Sequence, residues 1–192
     1  TKGVVGYDLT RLLCGSEGTL AIITKAILKL LPSLPARRTL RAAYTDVPSA
    51  AAAVARLMAQ PDTPCALEFF DGDAVKLAQQ HRDCGLPSDA GALLLIDVDG
   101  NTDDIVRAQQ AVADTAAGPG LMELHAASTK EEAETLWSAR KSLSPALRSL
   151  APKKVNEDVV VPVSRLPELV SGIRAISARQ ALRIGCFGHA GT

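Results

Sequence analysis

The chain has 192 residues, 47% of them hydrophobic but only 3% aromatic, so it can bury a sizeable core built mainly from Ala, Val, Leu and Ile. Its 21 basic and 21 acidic side chains cancel to a formal net charge of zero, which gives no electrostatic ground for binding nucleic acid or an anionic membrane. Four scattered cysteines (Cys14, Cys65, Cys84, Cys186) form no CxxC pair, the usage of a reduced cytoplasmic protein and not of a disulfide scaffold or a zinc ribbon, and no apolar run nears the roughly 18 residues of a membrane helix.

The opening Thr1-Lys2-Gly3-Val4 carries neither an initiator Met nor a signal-peptide pattern. Asp8 to Leu13 reads as one short helical turn, followed by the glycine-rich turn Gly15-Ser16-Glu17-Gly18-Thr19. "LAIITKAILKLLP" then alternates and is rich in Ile and Leu, which predicts a pair of short strands. Pro32-Ser33-Leu34-Pro35 punctuates the chain and predicts a boundary between a segment 1–35 and a domain 36–192.

Beyond the prolines, strands alternate with helices. "TLRAAYT" is a strand and "VPSAAAAVARLMAQ" an Ala-rich helix capped by Ser49 or its neighbours; "CALEFFD" is a strand and "GDAVKLAQQHRDC" a helix. "GALLLIDVDG" reads as a buried strand, "NTDDIVRAQQAVADTAAG" as a helix, and "LMELHAA" as a strand. The pattern strand–helix–strand, used twice over 39–70 and 92–126, predicts an α+β fold with a ferredoxin-like antiparallel sheet layered with helices. Ser128 and Glu131 have capping-box spacing and open the long helix "KEEAETLWSARKSLSPALRSL", which Pro145 should kink. A polar run, Asn156-Glu157-Asp158, leads into the strand "VVVP"; Ser164 and Pro167 begin a further helix; "LRIGCFG" is the last strand. The chain then ends in Gly188-His189-Ala190-Gly191-Thr192. Both ends read as cut, the expectation for an excerpt of a longer protein.

Four features could carry chemistry. The glycines of Gly15–Thr19 let backbone approach a ligand, and free amides there suit phosphate oxygens. No Gly-Lys-Ser/Thr follows, so this is not a P-loop, and a plain turn is the simpler reading. Trp137, Arg140 and Ser144 share one face of the long helix beside Leu136, Leu143 and Leu147. An Arg on such a stripe either closes a structural ion pair or grips an anionic substrate with two hydrogen bonds. His189 is bracketed by small residues and accessible; it is a surface residue unless partners converge on it, when it becomes a metal ligand or an acid–base group. Asn156-Glu157-Asp158 is either a solvated loop or a set of polar groups at a strand mouth. His81 and His125 read as ordinary.

Taken together, these segments resemble one family. "GYDLTRLLCGSEGTLAIITKAILKLLP" is similar to the end of the FAD-binding domain of the vanillyl-alcohol-oxidase-type flavoproteins, where a Gly-Ser-Glu-Gly-Thr-Leu turn lies against the flavin. "ALEFFD", "LWSARKSLSPAL", "NEDVVVPVSRLPELV" and "FGHAGT" resemble, in order, the C-terminal cap domain of FAD-linked oxidases. The likeness is nearest to the D-lactate dehydrogenase and glycolate oxidase flavoprotein subunit group, with D-2-hydroxyglutarate dehydrogenase a cousin. In the family the closing motif reads Gly-His-x-Gly-x-Gly-Asn-x-His. Only its first His, His189, is present here, so a complete active site is not expected of this chain alone.

By position, the resemblance implies that Gly15, Ser16, Glu17, Gly18 and Thr19, with Ile22 and Ile23, contact FAD. It implies that Arg140 binds the substrate carboxylate with Ser144 and Asn156 nearby. It gives His189 a role as a ligand of a divalent metal (Zn or Mn) or as a group acting at the substrate hydroxyl. Asn156 stands where the 2-hydroxyglutarate branch carries a Lys, which leans toward a small 2-hydroxy acid, although Lys153 or Lys154 could compensate. The implied reaction is oxidation of a D-2-hydroxy acid of the D-lactate or glycolate class by hydride transfer to flavin. The electrons then pass to a quinone, a cytochrome or an iron-sulfur subunit. The implied protein is cytoplasmic or peripheral to the inner membrane, and a homo-oligomer is compatible with it. The competing expectation is a small-molecule-binding or assembly module on a ferredoxin-like scaffold without flavin.

Overall fold

The computed structural model describes residues 5–81, 83–150 and 153–191, so Thr1–Val4 and Thr192, on which the reading of cut ends rests, lie outside the described residues. The chain divides into two compact units, Thr1–Ser33 and Leu34–Thr192. In the first, α1 (Leu9–Leu13) is capped by the Asp8 side chain, which accepts from the Arg11 amide at 3.1 Å. The expected strands after Thr19 do not form: residues 21–34 have no regular structure, and Ile22, Ile27, Leu30 and Leu31 are exposed. Alternation predicts which side chains share a face, but a strand also needs a neighbour for its amides and carbonyls, and none pairs here among the described residues.

The second unit contains β1 (Ala36–Tyr44), α2 (Val47–Ala59), β2 (Ala66–Asp71), α3 (Gly72–His81), β3 (Ala92–Gly100), α4 (Ile105–Ala116), β4 (Leu121–Ala126), α5 (Lys130–Leu150), α6 (Leu166–Gln180) and β5 (Phe187–His189). The sheet order is β4-β1-β3-β2-β5, with every neighbouring pair antiparallel. The first four strands with α2 and α4 make the two split β-α-β units of a ferredoxin-like α+β fold. Helix α3 and the strand β5, added beside β2, extend that plan.

Helices cover both faces, which is why β1 from Thr39 to Tyr44 and β3 from Ala92 to Val98 are buried without alternation. Leu40, Ala42 and Tyr44 of β1 and Leu94 and Ile96 of β3 pack with α2, α4 and Val170 of α6. Phe70, Leu93 and Leu95 face the other way, onto Val75 of α3 and Leu136, Ala139 and Leu143 of α5. Asp46, not Ser49, caps α2, accepting from the Ser49 amide at 2.8 Å, while Pro48 occupies the first turn, where its missing N–H costs nothing. At α5 the box is shifted by one residue. Thr129 Oγ1 accepts from the Glu132 amide at 3.2 Å and the Glu132 carboxylate accepts from the Ser128 amide at 2.7 Å.

Helix α5 runs through Pro145 to Leu150. Two further expectations are corrected. Residues 159–161 form no strand, with Val160 almost fully exposed, and the last strand is only Phe187–His189, because β5 pairs with β2 solely from Phe70 to Glu68. All four cysteines are free thiols. No helix among the described residues is long and apolar enough to cross a membrane.

Candidate functional site

The sheet face beneath α5 is not purely apolar. Buried within it are Thr39, Arg41, Glu68 and Asp97, each of which must find partners to offset lost hydration. Asp97 accepts from Thr39 Oγ1 at 2.5 Å and from Trp137 Nε1 at 3.0 Å, and the Arg37 guanidinium sits on its second oxygen as an ion pair. Arg41 is tied to Glu123 and to the Gly85 carbonyl. These contacts hold α5 and β4 to the sheet. Trp137, on the stripe read from the sequence, is therefore an anchor of α5.

One turn along the same stripe, Arg140 donates from Nε to Glu68 Oε2 at 2.7 Å, and its guanidinium carbon lies 4.9 Å from the centre of the Phe187 ring. Glu68 pairs across the strands with His189 of β5, so their side chains share a face. His189 Nδ1 contacts Glu68 Oε1. The Glu68 side chain is 3% exposed, that of Arg140 30% and that of His189 75%. A buried carboxylate thus faces a guanidinium on one oxygen and an imidazole on the other, while the outer parts of both partners reach solvent. No hydrogen bond engages the Arg140 Nη atoms or His189 Nε2 among the described residues.

Strand β5 is short and needs a second anchor. Asp71, buried at the end of β2, supplies it: the Asp71 amide donates to the Cys186 carbonyl at 2.9 Å, and the Cys186 amide donates to Asp71 Oδ2 at 3.0 Å. The other carboxylate oxygen accepts from the Ala74 amide at 2.8 Å and so caps the first turn of α3. Burial pushes the Asp71 carboxyl above its usual range, opposed by these amide hydrogen bonds.

The remaining expected site residues are spread more widely. Ser144, one turn beyond Arg140, accepts from Lys154 Nζ at 3.0 Å, which places a second cation on that face. Asn156 is exposed in an irregular segment, and no hydrogen bond among the described residues links it to Arg140 or His189. Glu68 is the residue that the sequence reading missed. A lone acid inside the apolar strand "ALEFFD" was its only signal.

Gly15, Ser16, Glu17, Gly18 and Thr19 lie in the first unit. Gly15 and Gly18 have φ +82° and +77°, and Glu17 between them +50°, a backbone region costly for a residue with a Cβ. The Ser16 and Thr19 amides bond inward to the Leu13 and Ser16 carbonyls at 3.1 and 2.9 Å. Those of Gly15, Glu17 and Gly18 have no such partner among the described residues. The turn, with Ala21, Ile22 and Ile23, walls an open concavity of about 410 Å³. Free amides beside an aliphatic wall suit part of a flavin, whose ring is flat and whose edge carries acceptors. His189 offers Nε2 to a metal, but among the described residues no group of three or more His, Cys, Asp or Glu converges to complete a site.

Comparison with known proteins adds to this geometry. The model of the family "FAD linked oxidases, C-terminal domain" matches residues 34–192. The glycolate oxidase subunit GlcD of Bacillus subtilis is 39% identical over 190 residues, covering 99% of this chain and 40% of the relative. GlcD of Escherichia coli K12 is 33% identical over 186 residues, covering 97% and 37%, and a D-lactate dehydrogenase of Anaerostipes hadrus is 30% identical over 202 residues, covering 100% and 42%. The chain thus spans about 40% of the length of these curated relatives. Among solved structures, an alkyldihydroxyacetonephosphate synthase superposes with a TM-score of 0.69 over 93% of this chain and 38% of that one; at 17% identity this shows a shared fold.

Proposed function

The chain belongs to the family of FAD linked oxidases, C-terminal domain, and on that premise we propose that it forms the acid-binding part of an FAD-dependent oxidoreductase that converts a small D-2-hydroxy acid to the 2-oxo acid. The names of the GlcD and D-lactate dehydrogenase relatives support substrates of the glycolate and D-lactate class. The observation that carries the reading is Arg140. Its Nε is committed to Glu68, which leaves the two Nη groups as a fork for a carboxylate.

FAD, when bound, supplies the acceptor for the hydride from C2 and so for the two electrons of the oxidation. Everything else falls to the protein. Arg140 binds and orients the substrate carboxylate. His189, with Nδ1 turned to Glu68, offers Nε2 to the substrate hydroxyl and takes its proton as the C2 hydrogen leaves. Gly15, Ser16, Glu17, Gly18 and Thr19, with Ile22 and Ile23, contact the flavin, and Ser144 with Lys154 borders the acid. A second redox carrier, a quinone, a cytochrome or an iron-sulfur subunit, would reoxidise the protein; the word subunit in the GlcD relatives' names is consistent with such a partner. A flavin-free binding or assembly module on the same scaffold is not favoured, because the family match and the relatives point to flavoproteins.

The test is anaerobic mixing of the flavin-loaded full-length polypeptide with D-lactate, glycolate and D-2-hydroxyglutarate in turn. Bleaching of the visible flavin band by D-lactate or glycolate is expected. A flavin that none of them bleaches, or a protein that takes up no FAD, overturns the proposal.

A further inference from the structure

The buried carboxylate of Glu68 is not needed to close the core. Its strand neighbours Leu67, Phe69 and Phe70 are apolar, and its nearest residue on β3, Leu95, is apolar too. A carboxylate in that setting is costly unless both oxygens are engaged, and here the two partners are the two groups proposed to meet the substrate. We infer that Glu68 is a positioning residue that fixes the orientation of Arg140 and the tautomer of His189. This rests on the proposed 2-hydroxy acid reaction for its catalytic consequence, but not for its geometry.

An ionised carboxylate only accepts. Oε2 takes the Arg140 Nε–H, which fixes the planar guanidinium by one edge, and the Phe187 ring lies against it, its centre 4.9 Å from the guanidinium carbon. Oε1 faces His189 Nδ1, so in the neutral ring the proton sits on Nδ1 and Nε2 is left as a bare acceptor. A hydroxyl proton can be accepted only by that tautomer. Without Glu68 the ring is free to carry its proton on Nε2, and the guanidinium to swing off the Phe187 ring. Outer partners of this kind typically change activity by about 10- to 100-fold.

The experiment uses Glu68→Gln, which keeps the volume and one acceptor, in the flavin-loaded full-length polypeptide. It is read in two ways. Nitrogen-15 NMR of His189 in the wild type reports the tautomer directly, and the Nδ1–H form is expected. Steady-state kinetics of Glu68→Gln should show kcat down about 10- to 100-fold and KM for the acid raised several-fold, because each interaction is made through a different partner. Glu123→Gln, which loosens the Arg41 pair on the same sheet face, should instead lower thermal stability with kcat and KM unchanged.

A wild-type His189 protonated on Nε2, or a folded Glu68→Gln with wild-type kcat and KM, overturns the inference. Should Glu68→Gln fail to fold, the wild-type spectrum alone decides. Should no 2-hydroxy acid bleach the wild-type flavin, the proposed reaction falls, while the same spectrum still decides whether Glu68 holds His189.

Discussion

Arg140 illustrates how one side chain can satisfy two readings. From its place on a helical stripe it could have been a structural ion pair or an anion ligand; the ion pair is present, and the second role is the one we propose for the rest of the same guanidinium. Nε closes a pair with Glu68, and the Nη fork remains for a carboxylate. Arg140→Lys keeps the charge but loses the planar fork, so it should raise KM for the acid by about tenfold or more while leaving the melting temperature near that of the wild type; steady-state kinetics on the flavin-loaded protein reads it. The sequence displayed Arg140 and His189 because an Arg in a Trp-x-x-Arg stripe and a His between small residues are locally conspicuous. It concealed Glu68, since nothing in "ALEFFD" says that the acid will face α5 and a strand more than a hundred residues away.

At the scale of elements, what was legible was local. Apolar runs bounded by turn signals marked β1 to β4, and helical patterns marked α2 to α6, because those signals are complete within a dozen residues. The failures came where an element needed a distant partner. Residues 21–34 and 159–161 have strand composition but no ladder, and β5 is cut to Phe187–His189 by the length of β2 available to it.

Two predictions belong here. Asp71→Ala removes both the cap of α3 and the amide contact to Cys186, so it should destabilise the fold by about 1–2 kcal/mol. It should also speed hydrogen exchange at Phe187–His189 more than at β3, as amide exchange would show. At the start of α5, the Ser128 amide and then the His125 side chain hold the Glu132 carboxyl below its ordinary value of 4.5. A depressed value means stability that is present above about pH 4.5 and lost as the pH falls through the folded value, so the first turn of α5 should fray in acid. Thr129→Ala, costing about 1 kcal/mol, should shift that fraying to higher pH, read by amide exchange of Glu131–Ala133.

The whole molecule carries a second, opposite pH limit. Tyr44, buried between the sheet and the helices and donating to the Ala116 carbonyl at 2.8 Å, is pushed up by burial from 10.0 to about 12. Burial likewise pushes the Cys186 thiol from 9.0 to about 12. Both values are raised, so the fold favours the neutral forms. That contribution is intact below about pH 9 and is lost as the pH rises toward 12. Urea unfolding from pH 7 to 11 should show this decline, and Tyr44→Phe should flatten it while costing about 1 kcal/mol at pH 7 through the lost hydrogen bond.

At the centre of the proposed function is the fork of Arg140 beside His189, as the place where a 2-hydroxy acid binds for oxidation. The most direct measurement is kcat/KM of the flavin-loaded full-length polypeptide for its best 2-hydroxy acid, wild type against Arg140→Ala, normalised to flavin content and assayed well below the melting temperature of the variant, which the unpaired Glu68 should lower. A loss of roughly a hundredfold or more is expected, the equivalent of about 3 kcal/mol of charge-assisted binding. An Arg140→Ala protein that oxidises the acid as well as the wild type would contradict it.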